Sequence, residues 1–153
     1  VEHGTRDVLT WEAMDRLVVT LCERIQGEFD VLLTIARGGM VPASMVAYRL
    51  GFRNILVAAV AYYGEDGTPG EQPVFLQFPA GALLRGKRVL IVDEVWESGA
   101  TIHAVLDRVR AAGGRPTTAV LHYKPARSRV PEVPDFVAAE TDDWVVYPYK
   151  AGR

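Results

Sequence analysis

Residues 89–92, Val-Leu-Ile-Val, form a short apolar run that delivers two adjacent acids, Asp93 and Glu94, and a third, Glu97, follows three residues later. Ser98-Gly99-Ala100-Thr101 then opens a helical pattern. A loop entering a helix presents backbone N–H groups at the positive end of the helix dipole, and two hydroxyls stand beside them here. That is a cradle for a phosphate. It is not a Walker A loop, because GxxxxGK[ST] is absent. An acidic pair alone reads more simply as a solvated turn with a helix cap. Acids, cradle and buried strand together favour a binding site.

Two further stretches sit at the carboxyl ends of strand-like runs. Residues 31–36 run into Arg37-Gly38-Gly39, where glycines permit close approach of the backbone to an anion and Arg37 supplies charge. Residues 117–123 run into Lys124-Pro125, and Trp144-Val145 lies some twenty residues on. Taken singly, Gly-Gly is ordinary turn chemistry, Lys124 a solvated lysine and Trp144 a core aromatic.

These residues need a scaffold. Thr10 is placed to cap a helix whose apolar residues Trp11, Met14, Leu17, Val18, Leu21, Cys22 and Ile25 recur at helical spacing, with Gly27 ending it. Strands are expected at 31–36, 54–63, 73–78, 88–92 and 117–123, with short ones at 136–138 and 144–147. Helices are expected at 41–50, stopped by Gly51, and at 99–112, closed by Gly113-Gly114. Strands alternating with helices imply an α/β fold with a largely parallel sheet, and such sheets bind ligands beyond the carboxyl ends of their strands. No linker divides the 153 residues, so one domain spanning 1–153 is expected.

The charge balance, 17 basic against 19 acidic residues, argues against gripping nucleic acid by charge alone but leaves small anionic ligands open. The single cysteine, Cys22, excludes an intrachain disulfide framework and a CxxC motif, and its apolar pattern predicts a buried thiol. The longest apolar run, 55–63, is too short to span a membrane, and the polar first seven residues read as no signal peptide. A reducing cytoplasm is the expected compartment. His3, His103 and His122 lack metal-ligand spacing and read as structural or solvated. Trp96 either walls the site or packs on the loop.

The stretch from Val89 to Thr101 resembles the signature of the type I phosphoribosyltransferases: four apolar residues, two acids, and a short loop ending small-Gly-small-Thr. Arg37-Gly38-Gly39 resembles the pyrophosphate loop of that family, often preceded by a cis peptide. Lys124-Pro125 and Trp144-Val145 resemble its 6-oxopurine branch, the xanthine-guanine and hypoxanthine enzymes. The resemblance implies a single domain with a mostly parallel twisted sheet flanked by helices and a small C-terminal hood. It implies phosphoribosyl pyrophosphate and a purine base as substrates, Mg²⁺ as cofactor, no nucleic-acid or membrane partner, and a homo-oligomer, dimer or tetramer. Asp93 and Glu94 would hold the ribose hydroxyls and the Mg²⁺ environment. Glu97, where relatives usually have Asp, would accept the proton of the base or stabilise positive charge. Residues 97–101 would hold the 5′-phosphate, Lys124 would donate to the 6-oxo group, and Trp144 would stack on the base beside Val145. Residues 64–72 match the mobile lid of the family in position. Tyr62-Tyr63, where relatives often have Ser-Tyr, would face the ligand, and Glu65 and Asp66 would point outward. Lys150 falls where many relatives place an acid. The alternative is a non-catalytic regulator of the same fold that senses nucleotides or phosphoribosyl pyrophosphate.

Overall fold

The computed structural model describes residues 5–64, 70 and 72–150. In chain order the elements are β1 (Arg6–Val8), α1 (Trp11–Arg24), β2 (Val31–Ala36), α2 (Met40–Leu50), β3 (Ile55–Tyr63) and β4 (Gln72–Gln77). They continue with β5 (Arg88–Trp96), α3 (Ala100–Ala111), β6 (Arg115–Tyr123), β7 (Phe136–Glu140) and β8 (Trp144–Val146). Thr10 caps α1 as its sequence suggests, its side chain accepting from the Ala13 amide at 3.0 Å.

Six strands form one sheet in the order β4-β3-β2-β5-β6-β7, parallel throughout except for β4, which pairs antiparallel with β3. The central strands are buried on both faces, which explains why they read as continuous apolar runs without alternation. Alternate residues still serve different cores. Leu90 and Val92 pack with α1 and α2, whereas Val89 and Ile91 pack with α3. The connection β2-α2-β3 moves one way along the sheet and β5-α3-β6 moves the other. With right-handed crossovers this puts α2 and α3 on opposite faces. Strand order therefore reverses between β2 and β5, and a crevice opens beyond their carboxyl ends. Ala36 and Asp93 stand at that point.

The acidic pair differs from its expected placement. The sequence reads as a strand over 88–92 that ends at Asp93-Glu94 and delivers both acids at its carboxyl end. Instead β5 continues to Trp96, because β6 is equally long and offers a ladder: Asp93 pairs with Val120, Val95 with His122, and Trp96 with Tyr123. The acids are thus fixed by the sheet itself.

The C-terminal hood is a separate two-stranded sheet. β1 lies parallel to β8, with Arg6 opposite Trp144 and Asp7 opposite Val145. Strand β1 has no apolar alternation and is exposed along its length. Nothing in its own sequence marks it as a strand, and its existence depends on a partner at the far end of the chain. Among the described residues, no helix is long and apolar enough to cross a membrane.

Candidate active site

The turn between β5 and α3 forms the loop that the sequence reads as a phosphate cradle. Gly99 has φ +82°, a left-handed conformation that side chains rarely adopt, and a Cβ there would lie 2.5 Å from both Trp96 Nε1 and Val130 Cγ2. Glycine is therefore required for conformation and for space. Ser98 Oγ accepts from the Ala100 amide at 3.2 Å, which steadies the entry to the helix. Ser98, Gly99, Ala100 and Thr101 line a cleft of about 260 Å³ together with Arg37 and the two acids of β5.

The two acids are desolvated. Asp93 is 7% and Glu94 9% exposed. Burial, followed by the neighbouring Glu94 charge, pushes the Asp93 carboxyl well above the usual range. Burial also raises Glu94, against the opposing pull of Lys150. Asp93 Oδ1 accepts from the Glu94 amide at 2.9 Å, while Glu94 Oε2 is buried with no hydrogen-bond partner among the described residues. The Arg37-Gly38-Gly39 turn lies directly against this pair. A Cβ on Gly38 would fall onto the Glu94 carboxylate, and one on Gly39 would lie 2.7 Å from Asp93 Oδ1. The Ala36–Arg37 peptide is cis, as the resemblance implies.

The segment after β8, which sequence reasoning did not single out beyond Lys150, ties both loops together. Tyr149 donates its hydroxyl to the Gly38 carbonyl at 2.7 Å, and Tyr147 donates to the Glu94 carbonyl at 3.1 Å. Lys150 Nζ stands 3.9 Å from Glu94 Oε1. Behind Tyr147 lies His122, its Nδ1 2.7 Å from the same hydroxyl. With the Tyr147 hydroxyl donating to the Glu94 carbonyl, the imidazole donates its Nδ1–H to that hydroxyl. Burial keeps the imidazole neutral, lowering its pKa to about 4. The alternating pair of tyrosines was the available sequence signal.

Lys124 is not the solvated lysine that its place at a strand end suggests. It is 4% exposed, with Nζ 3.6 Å from Glu97 Oε1. Arg127, also missed from sequence, donates to the same oxygen at 3.2 Å. Trp144 is not a core aromatic: it is half exposed on β8. With Val145, Arg6, Arg37, Gly38 and Tyr149 it lines a wider, mainly apolar cleft of about 960 Å³. The two clefts share Arg37 and Gly38, so the pyrophosphate-type turn is the wall between them. Trp144 lines the wider cleft, whereas Lys124 is in the lining of neither and stands behind Glu97. The cradle, though smaller, is where acids, cations and helix terminus converge.

Several smaller expectations resolve as follows. Trp96 is fully buried, donating its indole N–H to Ser128 Oγ at 3.1 Å and meeting Tyr123 edge-on, so it packs beneath the loop. Cys22 is half-buried, its thiol raised by burial. The Tyr62 hydroxyl is buried without a hydrogen-bond partner among the described residues. The Tyr63 side chain, His3, and lid residues 65–69 and 71, including Glu65 and Asp66, lie outside the described residues. Of the two readings for His103, structural or solvated, its contacts make it structural. Its Nδ1 lies 2.8 Å from Glu132 and its Nε2 3.3 Å from Asp107, an anchor between α3 and the loop after β6.

Comparison with known proteins agrees with this geometry. Residues 7–151 match the family model of the phosphoribosyl transferase domain. A xanthine-guanine phosphoribosyltransferase of Gluconobacter oxydans (strain 621H) is 32% identical over 147 residues, covering 92% of this chain and 82% of the relative. The crystal structure of a purine phosphoribosyltransferase from Pyrococcus horikoshii Ot3 superposes with a TM-score of 0.83 at 31% identity, over 97% of this chain and 95% of that one. A Neisseria gonorrhoeae protein solved with bound ppGpp gives 0.86 at 30% identity, over 99% and 93%. With a family match over nearly its whole length, and with two acids, a helix-entry loop and a glycine turn at the switch point of the sheet, this chain belongs to the purine phosphoribosyltransferases, enzymes that transfer a phosphoribosyl group.

Proposed function

We propose that the chain joins a 6-oxopurine, namely guanine, xanthine or hypoxanthine, to phosphoribosyl pyrophosphate, giving the nucleoside 5′-monophosphate and pyrophosphate in purine salvage. The observation that carries this reading is the buried Lys124 ammonium beside the Glu97 carboxylate at the mouth of the cradle. An ammonium has donors only, so it suits an oxo group and not the amino group of adenine. A carboxylate beside it suits the ring N–H that must lose its proton as the base bonds to the sugar.

The residues divide the work by position. Ser98, Gly99, Ala100 and Thr101 hold the 5′-phosphate at the positive end of α3. Asp93 and Glu94 hold the ribose hydroxyls, and Arg37 with Gly38 and Gly39 holds the pyrophosphate as it leaves. Trp144 stacks on the base, with Val145 beside it. Charge builds on the sugar as an oxocarbenium-like centre, so water must be kept out. The donor set fits Mg²⁺: hard carboxylate oxygens, one of them buried with no hydrogen-bond partner among the described residues, suit an ion that bridges to anionic substrate groups. Asp93 and Glu94 would hold the ion, which when bound neutralises pyrophosphate charge. A cytoplasmic location and a homo-oligomeric state belong with the same reading.

The rival reading, a non-catalytic nucleotide sensor, has in its favour the ppGpp bound to the Neisseria gonorrhoeae protein. A panel of bases incubated with phosphoribosyl pyrophosphate and Mg²⁺, followed by pyrophosphate release, separates the two. Turnover of one or more 6-oxopurines in preference to adenine is expected. No transfer to guanine, xanthine or hypoxanthine refutes the proposal.

A further inference from the structure

Glu97 Oε1 is shared by two cations, Lys124 Nζ at 3.6 Å and Arg127 Nη1 at 3.2 Å. In the proposed reaction Lys124 turns its ammonium toward the oxo group of the base, so it cannot also serve as the sole partner of Glu97. The guanidinium is different. It keeps its charge throughout and offers its donors in a rigid fork.

Arg127 is also anchored without help from Glu97. Its own amide donates to the Lys124 carbonyl at 3.0 Å, closing the turn after β6. The next residues are strapped onto the cradle: the Trp96 indole donates to Ser128 Oγ at 3.1 Å, and the Arg129 amide donates to the Ser98 carbonyl at 2.9 Å. Farther along, His103 meets Glu132 at 2.8 Å and pins the strap to α3. The guanidinium therefore hangs from a fixed frame built partly from the phosphate cradle. An aspartate at position 97 is one C–C bond shorter, about 1.5 Å, and would fall short of it. Glutamate reaches.

We infer that Arg127 is a positioning residue that holds the Glu97 carboxylate toward the base once Lys124 is engaged, making Glu97 and Arg127 a matched pair. The inference rests on the proposed 6-oxopurine transfer, and the test separates the two. Arg127→Ala and Arg127→Lys are made in the wild-type chain and in Glu97→Gln, and kcat, KM for the base and calorimetric affinity for phosphoribosyl pyrophosphate are measured. Guanidinium N–H signals of Arg127 are followed by NMR in parallel. Arg127→Ala should lower kcat about tenfold, between the effect of a part-exposed ion pair and that of a misplaced reacting group. The loss should shrink to about twofold or less in Glu97→Gln, Arg127→Lys should recover most of it, and phosphoribosyl pyrophosphate affinity should not move. The Arg127 signals should be resolved in the wild type and averaged by rotation in Glu97→Gln. An active wild type with equal Arg127→Ala losses in both backgrounds, or with averaged Arg127 signals, overturns the inference alone. A wild type that transfers to no 6-oxopurine overturns the functional reading and the catalytic role of the pair with it, whatever the NMR signals show.

Discussion

Gly38 and Gly39 stand next to each other, yet alanine at the two positions should fail in different ways. Neither is required by backbone conformation, since Gly39 has φ −75° and ψ −14° and Gly38 is not among the positive-φ glycines. Space decides. A Cβ on Gly39 would lie 2.8 Å from the Ile35 carbonyl oxygen, 2.8 Å from Thr34 Oγ1 and 2.7 Å from Asp93 Oδ1. All three are held: Ile35 accepts from Gly39 itself at 3.0 Å, Thr34 donates to the Val92 carbonyl at 3.2 Å, and Asp93 accepts from Glu94. Backbone must move, and overpacking of this kind costs about 1–3 kcal/mol. For a chain of this size that lowers the thermal midpoint by roughly 3–8 °C. The nearest atoms to a Cβ on Gly38 belong to the Glu94 carboxylate, the far end of a side chain whose Oε2 has no hydrogen-bond partner among the described residues. That group can swing away, so Gly38→Ala should melt within about 2 °C of wild type. It should instead bind phosphoribosyl pyrophosphate with Mg²⁺ about tenfold more weakly, the loss of one charge-assisted contact. Thermal melts and calorimetry on both variants test this. Gly39→Ala melting like wild type, or Gly38→Ala melting lower than Gly39→Ala, refutes the packing argument. Unchanged affinity in Gly38→Ala refutes the role given to Glu94.

Four other outcomes are expected. Glu97→Ala should lose about 10²- to 10⁴-fold in turnover, the range for a positioned acid–base group; unchanged turnover reduces Glu97 to a helix-entry role. Lys124→Ala should weaken use of 6-oxopurines by about 1.5–3 kcal/mol without altering pyrophosphate use in the reverse reaction; equal losses for both show that Lys124 does not read the base. Tyr149→Phe keeps the ring stacked on Tyr147 but removes the donor to Gly38, so KM for phosphoribosyl pyrophosphate should rise while KM for the base stays; the reverse pattern counts against a link to the pyrophosphate loop. His122, faced by Tyr147, Asp7 and Lys124, has its pKa lowered from 6.5 to about 4. The folded chain then binds fewer protons than the unfolded one between those values. The stabilisation is complete above about pH 6.5 and is lost as pH falls toward 4, a swing of up to ~3 kcal/mol. Denaturant melts from pH 4 to 7.5 should show that slope, and His122→Gln should flatten it; an unchanged slope in the variant removes His122 as its source.

Much of the site was legible because its chemistry is local. Asp93, Glu94, Glu97 and residues 98–101 lie within one strand-turn-helix unit, and Arg37-Gly38-Gly39 within another, so spacing along the chain is nearly spacing in space. Buried parallel strands announce themselves as apolar runs, and capping and glycine chemistry mark where helices start and stop. Those signals sufficed for the α/β class and for the three strand ends that carry the candidate site residues.

What the chain alone could not specify arises between segments far apart in sequence. That β5 carries its acids inside the sheet follows from the length of β6, which no residue of β5 encodes. That β1 is a strand follows from β8. Lys124 is buried and Trp144 half exposed because of what packs around each, whereas their residue types suggest the opposite. The bonds from Tyr147 and Tyr149 to the acid and glycine loops, and from Arg127 to Glu97, join partners that share no periodicity. Sequence patterns record which face of an element is apolar. Hydrogen bonds and ion pairs across elements depend on register and on ångström-scale distances, and only the packed tertiary structure sets those.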